Sequence, residues 1–246
     1  MNRFGIAAIV VAALLGVLAA PLLFPPRQEA PPPITHGMPW QVEIPAPGQS
    51  RVFGLRLGGA NPSTLADARR AFPEIATLAL LAPPEQPLAL EAYFETVAIG
   101  PLAGKLVLSI AATTAELEAM RDKAAKTDHL ETGIRKFALN EADRQRAETR
   151  PLAGIVFIPS ARLDESVIVQ RFGAPAERVR QGETLEHFLY PDKGLDVVLD
   201  SKGKEVLQYV APSEFDRLRA PLAKQESALM KQLRYKAVEQ KTLSSP

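Results

Sequence analysis

Residues 163–210 decide the fold. They begin Leu163-Asp-Glu-Ser-Val-Ile-Val-Gln-Arg-Phe-Gly-Ala-Pro175, which reads as a short amphipathic helix stopped by Gly173 and Pro175. Three strand-length runs follow: Thr184-Leu-Glu-His-Phe-Leu-Tyr190, Gly194-Leu-Asp-Val-Val-Leu-Asp200 and Lys204-Glu-Val-Leu-Gln-Tyr-Val210. The gaps between them end in Gly194 and Gly203, and the first opens on Pro191. Proline presets φ and glycine admits positive φ, so both gaps are turns. The stretch predicts a helix followed by an antiparallel meander, with Gly203 supplying the positive φ of the last hairpin.

The same pattern extends upstream. Arg51–Leu57 is a strand candidate, and Ser63 or Thr64 can cap a helix to about Phe72, with Leu65, Ala68 and Phe72 on one face. Ile75–Leu81, Leu88–Ile99 and Gly104–Ile110 read as strands. Thr113 and Glu116 have capping-box spacing at the head of a helix to Lys126. Glu131–Leu139 reads as a strand, Asn140 opens a short polar helix, and Ala153–Ile158 is a further strand. Pro101-Leu-Ala-Gly-Lys-Leu-Val107 is similar to Pro151-Leu-Ala-Gly-Ile-Val-Phe157, and each is followed by a polar turn and a helix. The expected fold class is α+β: tandem helix plus antiparallel-sheet modules over 51–150 and 151–211, preceded by an N-terminal transmembrane helix and followed by a C-terminal amphipathic helix.

That membrane expectation rests on Phe4–Phe24, 21 residues without a charge. As a helix they span about 31 Å, the thickness of a bilayer core. Residues 1–24 thus read as a signal-anchor, or as a cleaved signal peptide with a site near Val17-Leu-Ala19. Either reading puts the body outside the cytoplasm; the expected localisation is a bacterial inner membrane, single-pass through residues 4–24, with the body in the periplasm. The absence of cysteine excludes a lipoprotein anchor and a disulfide framework. Residues 25–50 are proline-dense and read as a stiff spacer. Trp40 within it either caps the core or lies at the lipid interface.

Residues 212–246 read as a helix and tail in which Phe215, Leu218, Leu222, Leu229 and Leu233 recur near heptad spacing. Pro221 breaks that ladder or starts a second segment. Seven Lys or Arg stand against four acids there. The helix either packs on the sheet or presents Leu222, Leu229 and Leu233, bordered by Lys231, Arg234 and Lys236, to a partner. A formal net charge of +1 gives no nucleic-acid signal.

Catalytic motifs are sparse. His36, His129 and His187 lie far apart, and with no cysteine a zinc site has little support. Glu186 and His187 are neighbours on a strand and face opposite ways. Ser109, Ser160 and Ser166 lie in no nucleophile elbow. Asp196, Asp200 and Glu205 flank a hairpin without calcium-loop spacing and can hold a cation only weakly. No cofactor is expected, and the balance points away from an enzyme.

The run Val167-Ile-Val-Gln-Arg-Phe-Gly-Ala-Pro175, with Glu186-His-Phe-Leu-Tyr190, Leu195–Asp200 and Lys202-Gly-Lys-Glu-Val206, resembles the BamE/SmpA-like module, found in tandem in beta-lactamase-inhibitor-like proteins. The resemblance covers about 48 residues and implies a binding scaffold. The expected function is a non-enzymatic, membrane-tethered periplasmic binding or scaffold protein of the kind used in envelope assembly, with an envelope or inner-membrane protein as partner. The alternatives are a lipid- or solute-binding accessory domain and an envelope hydrolase with a distributed active site.

Overall fold

The computed structural model describes residues 37–84 and 86–223. In chain order its elements are β1 (Ser50–Val52), β2 (Leu55–Leu57), α1 (Leu65–Ala71), β3 (Thr77–Ala82), β4 (Ala89–Ile99), β5 (Leu102–Ile110), α2 (Thr114–Asp122), β6 (Lys126–His129), β7 (Arg135–Ala138), α3 (Glu141–Glu148), β8 (Leu152–Pro159), α4 (Glu165–Phe172), β9 (Glu177–Gln181), β10 (Leu185–Tyr190), β11 (Leu195–Asp200) and β12 (Val206–Tyr209). The chain is helical again from 216 to 223, running through Pro221.

The helix-and-meander stretch folds as its pattern predicts. Asp164 caps α4 by accepting from the Val167 N–H at 2.9 Å, and Gly173 closes it at φ 87°. β10, β11 and β12 form the meander, and Gly194 takes the left-handed turn between the first two at φ 64°. Two details differ from expectation. Gly203 is not in the left-handed region; its turn is instead held by the Asp200 carboxylate accepting from the Lys202 N–H at 3.0 Å. The charged run Glu177–Gln181 is a strand too, on the outer edge of the sheet. Charge suits an edge, where unpaired backbone must not recruit another strand.

All but β1 and β2 join one ten-stranded antiparallel sheet in the order β6-β7-β3-β4-β5-β8-β12-β11-β10-β9. The two Pro-Leu-Ala-Gly segments enter its central strands, β5 and β8, which pair with each other. Each central strand leads into a helix, α2 or α4, and then to the far edge of its own side, β6 or β9. The two expected modules thus share one continuous sheet.

The main core lies on one face. Leu90, Phe94, Leu106, Leu108, Phe157, Phe188 and Leu207 point to it from the strands. Leu65 and Phe72 of α1, Leu117 and Met120 of α2, Ala147 of α3 and Ile168 and Phe172 of α4 cover it. The run 51–57, expected as one strand, is a hairpin turned by Phe53 (φ 55°) and Gly54 (φ 77°). Phe53 holds this unusual backbone because its ring is buried, edge-on to Phe157 and Tyr209 at 5.7 and 5.4 Å. Trp40 takes the core position, edge-on to Phe172 at 6.2 Å with the Arg171 guanidinium 4.9 Å from its ring. Residues 37–50 run against the domain, where the Pro39 carbonyl accepts from the Tyr209 hydroxyl at 2.9 Å.

The membrane expectation is corrected. Among the described residues no helix is long and apolar enough to cross a membrane. α2, with 9 residues, spans only about 14 Å against a hydrocarbon core of about 30 Å. Residues 4–24 lie outside the described residues. Over the described residues the fold class is therefore α+β, a large antiparallel sheet with short helices and no helix long enough to cross a membrane. The single-pass inner-membrane placement with a periplasmic body, attachment through residues 4–24, the membrane-tethered scaffold role and its envelope partner lose the structural basis expected for them and are not carried further.

Candidate functional site

Beyond the end of the β5–β8 pair, where Ile110 meets Leu152, lies a cleft of about 490 Å³. One wall is built by the strand-to-helix turn after β5. The Ala111 N–H donates to the Pro151 carbonyl at 2.8 Å, tying the two central strands at the cleft floor. Thr113 then caps α2: its Oγ1 accepts from the Glu116 N–H at 3.3 Å, and the Glu116 carboxylate accepts from the Thr113 N–H at 2.8 Å. Arg150, just before β8, grips the same carboxylate with two nitrogens at 2.6 and 3.1 Å and donates to the Ala111 carbonyl at 3.2 Å. The Arg150 guanidinium, helped by the Thr113 backbone, holds the Glu116 carboxyl down at about 2.

The opposite wall is the start of the C-terminal helix. Ser213 donates its hydroxyl to the Gly48 carbonyl at 2.9 Å. Gly58 and Gly59 line the mouth. A Cβ at Gly58 would come within 2.7 Å of the Ala211 Cβ, so only glycine allows this close approach, and its φ of +77° suits glycine as well. Arg217 reaches in from the first helical turn. Its Nη1 donates to the Ala153 carbonyl at 3.1 Å and to the Glu214 carboxylate. Its Nε and Nη2 are buried without a hydrogen-bond partner, and the residue is only 9 % exposed. A buried guanidinium with unused donors is costly unless an acceptor reaches it.

The cleft therefore joins two arginines to the starts of two helices, where backbone N–H groups favour negative charge. Two carboxylates, Glu116 and Glu214, already engage the arginines. The chemistry on offer is recognition of an anionic oxygen. Nothing in it resembles a nucleophile with its base.

A second polar group lies on the far face of the sheet. His187 on β10 has Nδ1 2.8 Å from Asp196 Oδ2 on β11 and Nε2 3.1 Å from Gln181 Oε1 on β9. Gln208 on β12 donates to the same Asp196 oxygen at 3.3 Å. All but Gln181 are almost fully buried. The group ties β9, β10, β11 and β12 together. Glu186 points away from it and lies 3.9 Å from Arg178. His129 sits exposed on β6, and His36 lies outside the described residues. Asp196, Asp200 and Glu205 do not converge, and no carboxylate–histidine group able to hold a metal occurs among the described residues.

Of the residues expected to bind a partner, Leu222 is buried with Leu189, Val210, Phe215 and Leu218 on that far face. Leu229, Lys231, Leu233, Arg234 and Lys236 lie outside the described residues. The cleft residues Arg150 and Arg217 were not legible as a site. The one local signal was the Thr113–Glu116 spacing, which marks a helix start and not a ligand. Compared with known proteins, the chain matches no family model, no curated protein and no solved structure.

Proposed function

We propose that this protein is a ligand-binding module that recognises a carboxylate-bearing small molecule, or a carboxylate presented by a peptide, in the cleft at the end of the β5–β8 pair. The observation that carries the reading is Arg217, nearly buried at the cleft with Nε and Nη2 unpaired. A cleft of this size suits a small ligand fixed by a few convergent polar groups. Arg150 is already locked by Glu116, so it lends positive potential without having to be ordered on binding. Glu214, about half exposed at its side chain, is the natural group to yield its place on Arg217 to an incoming carboxylate. The helix-and-meander unit over 163–210 is proposed as a relative of the BamE/SmpA-like module; its last strand, β12, leads directly into Ala211 and the C-terminal wall of the cleft.

The test is calorimetric titration of the full chain with mono-, di- and tricarboxylates and with matched neutral amides. The reading expects saturable binding of at least one carboxylate, no binding of its amide, and loss of binding in Arg217→Met. Equal response to acids and amides, or full binding by a folded Arg217→Met chain, would overturn it.

A further inference from the structure

Besides the cleft, Arg217 lines a small interior cavity of about 10 Å³. Its lining includes Ser109 of β5, Gly154 and Val156 of β8, Gln208 of β12, and Val210. The gap is there because Gly154 has no side chain: a Cβ at that position would lie 3.6 Å from Val210 Cγ1 and 4.0 Å from Ser109 Cβ. All of these residues are buried, Ser109 and Gln208 at 4 % exposure.

Two of them carry buried polar atoms without a partner. Gln208 donates its amide nitrogen to Asp196 Oδ2 at 3.3 Å, and its Oε1 is left as an unpaired acceptor. Arg217 uses Nη1 on the Ala153 carbonyl and the Glu214 carboxylate, and the N–H groups on Nε and Nη2 are left as unpaired donors. Each orphan costs free energy until something meets it. An anion would suit Arg217 but would face the Gln208 oxygen. A cation would suit that oxygen but would face the guanidinium. Only a species that both accepts and donates serves the two together, and the cavity has room for about one water and nothing larger.

We propose that this cavity is the binding site of a single internal water, which accepts from the Arg217 guanidinium and donates to Gln208 Oε1. The water extends the hydrogen-bonded series His187, Asp196, Gln208 to Arg217, so that one polar network runs from β10 to the wall of the cleft. It also holds the guanidinium in place. Nε and Nη2 together carry three N–H groups, and the two lone pairs of one water leave at least one of them for a cleft ligand. The inference does not rest on the carboxylate reading.

The Val210 methyl groups report on the site without exchanging protons with solvent. In a full chain with 13C-labelled methyls, their signals are assigned by their loss in Val210→Ala, and cross-peaks from water are recorded as NOE and as ROE. A water held longer than the protein takes to tumble gives the two opposite signs, whereas water passing over a surface gives them the same sign. The proposal expects opposite signs at a Val210 methyl. The cross-peak should persist in Ser109→Ala, where no hydroxyl can relay it, and vanish in Gln208→Met. If Gln208→Met does not fold, Gly154→Ala, whose Cβ takes part of the same space, must abolish it instead. Absence of the cross-peak, matching signs, loss in a folded Ser109→Ala chain, or persistence in a folded Gln208→Met chain would overturn the proposal. So would a Val210 methyl shift that saturates with chloride, which would assign the cavity to an anion.

Discussion

Glu91 offers the sharpest test of how the sheet is built. It lies on β4 opposite Ala79 of β3 and Ser109 of β5, 4 % exposed, with Oε1 buried and unpaired. Burial pushes its carboxyl from an ordinary 4.5 up to about 8. Below pH 4.5 folded and unfolded chains are both protonated here, and the group has no effect on stability. Between 4.5 and 8 the unfolded chain ionises while the folded chain keeps its proton. Stability therefore falls as pH rises, by about 1.4 kcal/mol per pH unit. Above pH 8 the loss is complete, at about 5 kcal/mol. Glu91→Gln keeps the shape of the protonated acid and removes the titration. Urea midpoints of the two full chains should agree within about 1 kcal/mol at pH 5. At pH 8.5 the glutamine chain should be the more stable by roughly 3–5 kcal/mol. A difference of the same size at both pH values would refute the assignment of Glu91 to a buried, proton-holding position.

The remaining predictions use the same assay or thermal melting. Gly194→Ala should cost about 3 kcal/mol or more, since its φ is +64° and the new Cβ would lie 2.1 Å from the Val210 carbonyl oxygen. Gly203→Ala should cost about 1 kcal/mol or more, because the new Cβ would lie 2.2 Å from the Asp200 carboxylate, and moving that side chain gives up the Lys202 N–H that it holds. Glu116→Gln should lose about 1 kcal/mol at pH 7, allowing for its partial exposure. Its carboxyl is depressed, so that loss should shrink as pH falls from 4.5 through about 2. Asp196→Ala should destabilise by about 1–3 kcal/mol, because it leaves a buried ring nitrogen of His187 without its partner.

The sequence carried the local grammar well and the assembly poorly. Capping residues were readable because their chemistry is local: Thr113 with Glu116 and Gly173 after Phe172 do in space what their spacing implies. The meander was readable from period-two apolar runs bounded by turn residues. β9 was not, because Glu-Arg-Val-Arg-Gln has one apolar residue and owes its pairing to the neighbouring β10. Gly203 misled because a glycine in a tight turn need not use positive φ when an aspartate side chain holds the turn. The hairpin at Phe53 was hidden by an aromatic residue in a conformation usually left to glycine or asparagine. The cleft depends on residues 150 and 217 meeting beyond the end of the β5–β8 pair, and no local periodicity encodes a contact of that range. The pairing of His187 with Asp196 is likewise set by strand register across a turn, which a single run of sequence does not display.

The central claim concerns Arg217, and its side chain can be watched directly. In a 15N-labelled full chain the Arg217 Nε–H resonance is assigned by its disappearance in Arg217→Met. It is then followed during titration with the carboxylate that binds most tightly. A saturable shift of that resonance, with the same dissociation constant as calorimetry and none with the matched amide, is the predicted result. Saturable binding that leaves the Arg217 Nε–H resonance unmoved would contradict the account.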